Sequence, residues 1–166
     1  MTRRTQSTIL VGVDGSPDAC IAAAWAVDMG RHMEASVKVV TAWLDVPPPY
    51  DSCLDDDLAE LNGYTAAVAA DSLLAVGLDG IEVTAARGPT ASVLIDAADE
   101  ASASMLVVGT RGLGPLSGLL LGSVSRKLLF SARRPIVVVP HETTTQPAAL
   151  TRVVIGVDCS AAAQQA

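Results

Sequence analysis

Short apolar runs of strand length alternate along this chain with stretches of helical period, and that alternation restricts the fold more than any other feature. The runs are Thr8–Val13, Ser36–Trp43, residues 81–86, Met105–Gly109 and Ile136–Val139. Continuous apolar runs read as strands buried on both faces. After the first, Ser16 suits an N-cap, Pro17 a first helical position and Asp18 the positive end of the helix dipole. Ala19, Ala22, Ala23, Ala26, Val27 and Gly30 then make one small, flat helix face. A second helix is expected from about Asp55 to Val76, ended by Gly77, with Leu54, Leu58, Leu61, Thr65, Val68, Ser72 and Ala75 along one face. Gly88-Pro89-Thr90 opens a third, burying Val93, Leu94, Ala97, Ala98 and Ala101, and residues 123–132 form a fourth. Repeated strand–helix alternation implies an α/β fold, a doubly wound five-stranded parallel sheet with helices on both faces. The commonest such pattern has spatial order 3-2-1-4-5. Only 3% of the 166 residues are aromatic while 50% are apolar, so the core must be built of Val, Leu, Ile and Ala.

The loop and helix start that follow Met105-Leu106-Val107-Val108 carry the chemistry. Residues 109–125 are rich in glycine and lead into the helical pattern that begins at Ser123. Glycines let a phosphate approach the backbone without a Cβ in the way, and the free N–H groups of a helix start face it with the helix dipole behind them. Ser123 and Ser125 add hydroxyl donors there. The P-loop is excluded because Gly122 is followed by Ser123 with no lysine. The dinucleotide fingerprint fails because its third glycine would fall on Ser117 and the required acid is missing near Ser131-Ala132-Arg133. In doubly wound sheets ligands bind beyond the carboxyl ends of the strands, where the strand order reverses. Here that point lies between strands 1 and 4. It sets Asp14, with Gly12 and Val13 before it, beside Gly109–Gly112, and Ala42 at the end of strand 2 on the other side.

The spacing Gly109-x-x-Gly112, nine residues, then Gly122-Ser123 resembles the ATP-binding motif of the universal stress protein family. The resemblance covers about residues 7–140 and implies the Rossmann-like, adenine nucleotide α-hydrolase-like version of the fold. It implies that Asp14 and Ala42 contact the adenine–ribose end of ATP, and that Gly109, Gly112, Gly122, Ser123 and Val124 hold the phosphates. Gly88-Pro89 is similar to the family's turn before the third helix. Gly12 departs from the pattern, since many relatives carry a larger residue there. Arg111 occupies a variable position of the motif from which it could reach a phosphate. With Val13 and Ser125 these residues make up the candidate site. The resemblance further implies a cytoplasmic stress-response regulatory module that binds ATP with Mg2+, hydrolyses it slowly or not at all, and forms a homodimer through Ile136–Val139. That strand is wholly apolar between Pro135 and Pro140, and an uncovered edge of this kind invites another strand.

The remaining features bound this reading. A net charge of −7 argues against non-specific binding to nucleic acid or to an anionic membrane surface. No run approaches the ~20 apolar residues of a membrane span, and the run after Arg3-Arg4 is too short for a signal peptide and is broken by Asp14. Cys20, Cys53 and Cys159 contain no Cys-x-x-Cys pair, so neither a disulfide framework nor a zinc site is indicated and a reducing cytosol fits. His32 and His141 are read as isolated, and Arg126 and Lys127 as a solvated helix face. An ATP-hydrolysing or nucleotidyl-transfer enzyme is the first rival reading. It needs a placed base, a metal-binding acid or a lysine clamp, and near the loop the sequence offers only Asp14 and Arg111. A nucleotide-free structural dimer is the second. Finally, Val153–Ser160 echo Ile9–Ser16, with Asp158 on Asp14 and Ser160 on Ser16. Residues 141–150 are therefore read as a linker, and 151–166 as the start of a second repeat.

Overall fold

The computed structural model describes residues 7–43, 55–112 and 121–142. In chain order the elements are β1 (Thr8–Val13), α1 (Pro17–Met33), β2 (Ser36–Trp43), α2 (Asp55–Leu74), β3 (Val83–Arg87), α3 (Thr90–Glu100), β4 (Met105–Gly109), α4 (Ser123–Ser131) and β5 (Ile136–Val139). The strands form one sheet of order β3-β2-β1-β4-β5, parallel throughout. The order is the one the alternation implies, and β1 lies at its centre with Val11 opposite both Val39 and Val107.

Successive side chains of β1 enter different halves of the core. Ile9, Val11 and Val13 pack with α1 and α2 on one face, while Leu10 packs with α3 and α4 on the other. Burial on this scale stabilises by about 1.5–3 kcal/mol for each large aliphatic side chain. Ala22, Ala23 and Ala26 have no exposed surface, so α1 lies close over β1 and β4. Its small face is as expected, and Ser16 caps it by accepting the Ala19 N–H at 3.3 Å.

Three elements differ from expectation. β3 starts at Val83 instead of residue 81, because its pairing begins opposite Val39 and a turn at Gly80 (φ +67) precedes it. α2 ends at Leu74 instead of Val76. Gly77 takes φ +81, its N–H bonds Leu74 O and that of Leu78 bonds Leu73 O, closing the helix in a Schellman turn. The buried face of α2 is also a different one. Ala69 and Leu73 are buried, whereas Leu61, Val68 and Ala75 are exposed. In so alanine-rich a helix two stripes are apolar, and the sheet takes the one with smaller residues, which allows a closer approach. α4 stops at Ser131, one residue early, and its carboxyl end exposes Phe130 (86%) beside Leu129. The side chains of Leu54 and Leu58, the triple proline, residues 143–150 and the expected second repeat at 151–166 lie outside the described residues.

Candidate functional site

The carboxyl ends of β1 and β4 meet where the strand order reverses, and each turns sharply there. After β1, the Asp14 carboxylate accepts the Ser16 N–H at 3.0 Å, forming an Asx turn. Gly15, at the centre of the turn, takes φ +79. The first turn of α1 then carries Asp18, which is 92% withdrawn from solvent as judged by its 8% exposure. Its Oδ2 accepts the Thr110 hydroxyl at 2.7 Å and the Arg111 N–H at 3.2 Å, and its Oδ1 accepts from His141 Nδ1 at 2.6 Å. Burial by itself would raise the Asp18 pKa, but the Thr110 hydroxyl, the His141 ring and the Arg111 N–H together hold it below the ordinary aspartate value. His141 is thus paired with an acid across the fold, contrary to its reading as an isolated residue.

The glycines of the motif are each required by a different neighbour. A Cβ on Gly109 would lie 2.7 Å from the carbonyl carbon of Asp18, so the bare backbone lets α1 seat against the end of β4. On Gly112 it would collide with the Asp14 carboxylate. On Gly122 it would lie 3.2 Å from Thr110 O, which also accepts the Gly122 N–H at 2.6 Å. Ser125, 3% exposed, donates its hydroxyl to Gly109 O at 2.8 Å. That hydroxyl therefore braces the loop from beneath, and the hydroxyl donor role read for it from the sequence passes to Ser123, which is exposed. Among the described residues no side chain caps α4 at Gly122, and its leading N–H groups have no intrahelical partner.

A cavity of about 330 Å³ opens between these turns. Gly12, Val13, Asp14, Ala42, Gly109, Arg111, Gly112, Gly122, Ser123, Val124 and Ser125 all line it. The structure therefore brings together every residue singled out in the sequence. It adds Ala19, Val40, Thr90, Leu94, Val108 and Leu121 to the walls. Thr90 was detectable in principle, since it follows the Gly88-Pro89 turn. The others carry only a core signature. Leu94 occupies the space that a side chain on residue 12 would need: a Cβ on Gly12 would sit 2.6 Å from its Cδ1. Outside the cavity, Cys20 is buried with its thiol on Ser72 O at 3.5 Å, and burial, then Asp14, pushes its pKa up. Among the described residues no group of three His, Cys, Asp or Glu is placed to hold a metal ion, and no helix is long and apolar enough to cross a membrane.

Fold and site define a doubly wound α/β protein with a glycine-rich loop and an uncapped helix start at the topological switch point. The sequence profile of the universal stress protein family matches residues 6–140, and the chain belongs to that family. It is 33% identical over 144 residues to Universal stress protein Rv2624c of Mycobacterium tuberculosis, covering 87% of this chain and 52% of that protein. A universal stress protein of Thermus aquaticus is 32% identical over 137 residues, covering 80% and 97%. Among solved structures, a universal stress protein in complex with cAMP is 29% identical, with a TM-score of 0.59 and coverage of 80% and 96%. The chain spans about half the length of the mycobacterial relative it matches.

Proposed function

We propose that this chain is an ATP-binding regulatory module whose nucleotide lies in the cavity between β1 and β4. The observation that carries this reading is the convergence of Gly112, Gly122 and the uncapped start of α4 on one cavity at the switch point. At about 330 Å³ the cavity is at the lower end of the range for small-ligand sites, roughly 300–1,000 Å³. It suits an adenine–ribose moiety, with Asp14 and Ala42 at that end and the phosphates on Gly109, Gly112, Gly122, Ser123 and Val124. Arg111, at the rim, supplies positive charge. The cAMP held by the 29%-identical structure supports an adenine nucleotide as the ligand class. Mg2+ is commonly bound through one or two carboxylates, phosphates and water, and Asp14 is the carboxylate that lines the cavity.

The walls are mainly apolar side chains and backbone, and the Asp14 carboxylate is engaged by the Ser16 N–H. Such a surface can hold a triphosphate while doing little to activate water, so hydrolysis is slow or absent. The bound state is read through a homodimer formed along β5, in a cytoplasmic protein. Residues 7–140 constitute the module, 141–150 a linker and 151–166 the beginning of a second copy, an arrangement that the half-length match to the mycobacterial relative supports. Mass analysis of ligand released from the purified protein, followed by calorimetric titration with ATP, tests the reading. An adenine nucleotide in the released fraction and a submillimolar Kd are expected. A folded protein that gives no binding to ATP, ADP or AMP overturns it.

A further inference from the structure

Asp18 joins three segments that are remote in sequence. It sits in the first turn of α1, holds the Thr110 hydroxyl and Arg111 N–H on one oxygen, and holds the ring of His141, just beyond β5, on the other. Thr110 is additionally tied to β5 through its N–H on Val139 O at 3.2 Å. The Asp18 side chain is 11% exposed whereas that of His141 is 56% exposed, so one partner is withdrawn from solvent and the other faces it. Arg111 and Gly112 line the cavity.

We propose that Asp18 is the positioning residue of Thr110–Gly112 and that the charge on His141 sets how well these residues accept an anion. Histidine is the side chain that changes charge between about pH 5 and 8. When His141 is protonated, its N–H to Asp18 becomes a charge-assisted bond. It also offsets the negative charge that Asp18 places behind Arg111 and Gly112. When it is neutral, the hydrogen bond can persist but the offsetting charge is gone. Other charged and titratable groups near this cluster are Asp14 at the end of β1, Cys20 on α1, Arg111 itself and Glu142 beside His141. None of these is in the Asp18–His141 contact. Anion affinity then rises as pH falls through the histidine range, by about two- to fivefold, the scale of a partly exposed charge pair. This rests on the nucleotide site proposed above only in its last step; the coupling of His141 to the loop stands apart from it.

The two parts separate experimentally. In the full chain, without nucleotide, the His141 ring C–H and the Arg111 amide are followed by NMR from about pH 5.5 to about 8. The amide is expected to shift with the same midpoint as the ring, and the shift to vanish in His141→Gln, which keeps a neutral hydrogen-bond donor there. An amide that is flat in the native chain, or that still titrates in His141→Gln, overturns the coupling. Affinity for cAMP, whose phosphodiester keeps a single charge over this range, is then measured at both ends. A rise at the lower pH that is lost in His141→Gln supports the proposal. Constant affinity in the native chain overturns the effect on ligand. Absence of cAMP and ATP binding at every pH counts against the nucleotide site, leaving the amide titration to decide the coupling.

Discussion

The backbone of Gly109 lies directly on that of Asp18, so close that a Cβ on Gly109 would sit 2.8 Å from the Asp18 carbonyl oxygen. Gly112, three residues on, is bare for a different reason: it makes room for the exposed carboxylate end of the Asp14 side chain, not for backbone. The two glycines should therefore fail differently. Gly109→Ala pushes backbone against backbone and should cost about 1–3 kcal/mol, as overpacked interiors do. Gly112→Ala should stay within about 0.5 kcal/mol of the native stability while lowering nucleotide affinity, because Asp14 must swing aside. Urea unfolding and calorimetric titration of both variants check this; equal loss of stability in the two would contradict it.

Asp14→Ala should weaken ATP more than inorganic triphosphate. In the proposed site Asp14, which follows β1, lies at the base–ribose end of the cavity. Competition binding with the two ligands measures the difference. Equal losses would place Asp14 with the phosphates or with Mg2+ instead.

Acid stability follows from the pKa of Asp18, which the fold holds below its ordinary value. A carboxyl lowered in the folded state contributes stability above its unfolded pKa, and loses that contribution as pH falls through the folded one. Asp18→Asn should thus melt below the native protein near neutral pH, with the gap narrowing below about pH 4, the ordinary aspartate range. Thermal melts of the pair across that window are the measurement. A gap that stays constant into strong acid would show that the carboxylate charge contributes nothing.

Assembly is open to a direct test at β5. Among the described residues β5 pairs with β4 alone, and its residues Ile136–Val138 are partly exposed. Val138→Lys should turn a dimer into monomers, because a charge on an edge strand opposes a further strand. Sedimentation velocity reads the change. A dimer that survives the lysine places the contact elsewhere, and the exposed Phe130 of α4 would be the next residue to substitute.

The sheet was legible in the sequence because apolar runs and caps are local signals: Ser16 and Pro17 start α1 where expected, and the strand order is the commonest one for such alternation. The site was legible because topology and glycine spacing converge on Gly109–Gly122. The inner face of α2 was not, since alanine at so many positions lets either Leu61 and Val68 or Ala69 and Leu73 pass for the buried stripe. The Asp18–His141 pair was invisible for a deeper reason. Two single polar residues on α1 and after β5 have no periodicity, and only the closed sheet brings them to 2.6 Å. Ser125 belongs to the same class, its hydroxyl being claimed by Gly109 O from a strand that sequence reading does not orient.

The contact between Gly12 and Leu94 has its own consequence. Because β1 contributes no side chain at residue 12, the wall there is supplied by α3. Leu94 is also a core residue, 2% exposed and packed with Leu10 and Ala98. Size at this wall and the packing of α3 on the sheet are thereby one variable: a change at residue 94 that reshapes the cavity also reshapes the core, so Gly12 and Leu94 can vary only as a pair.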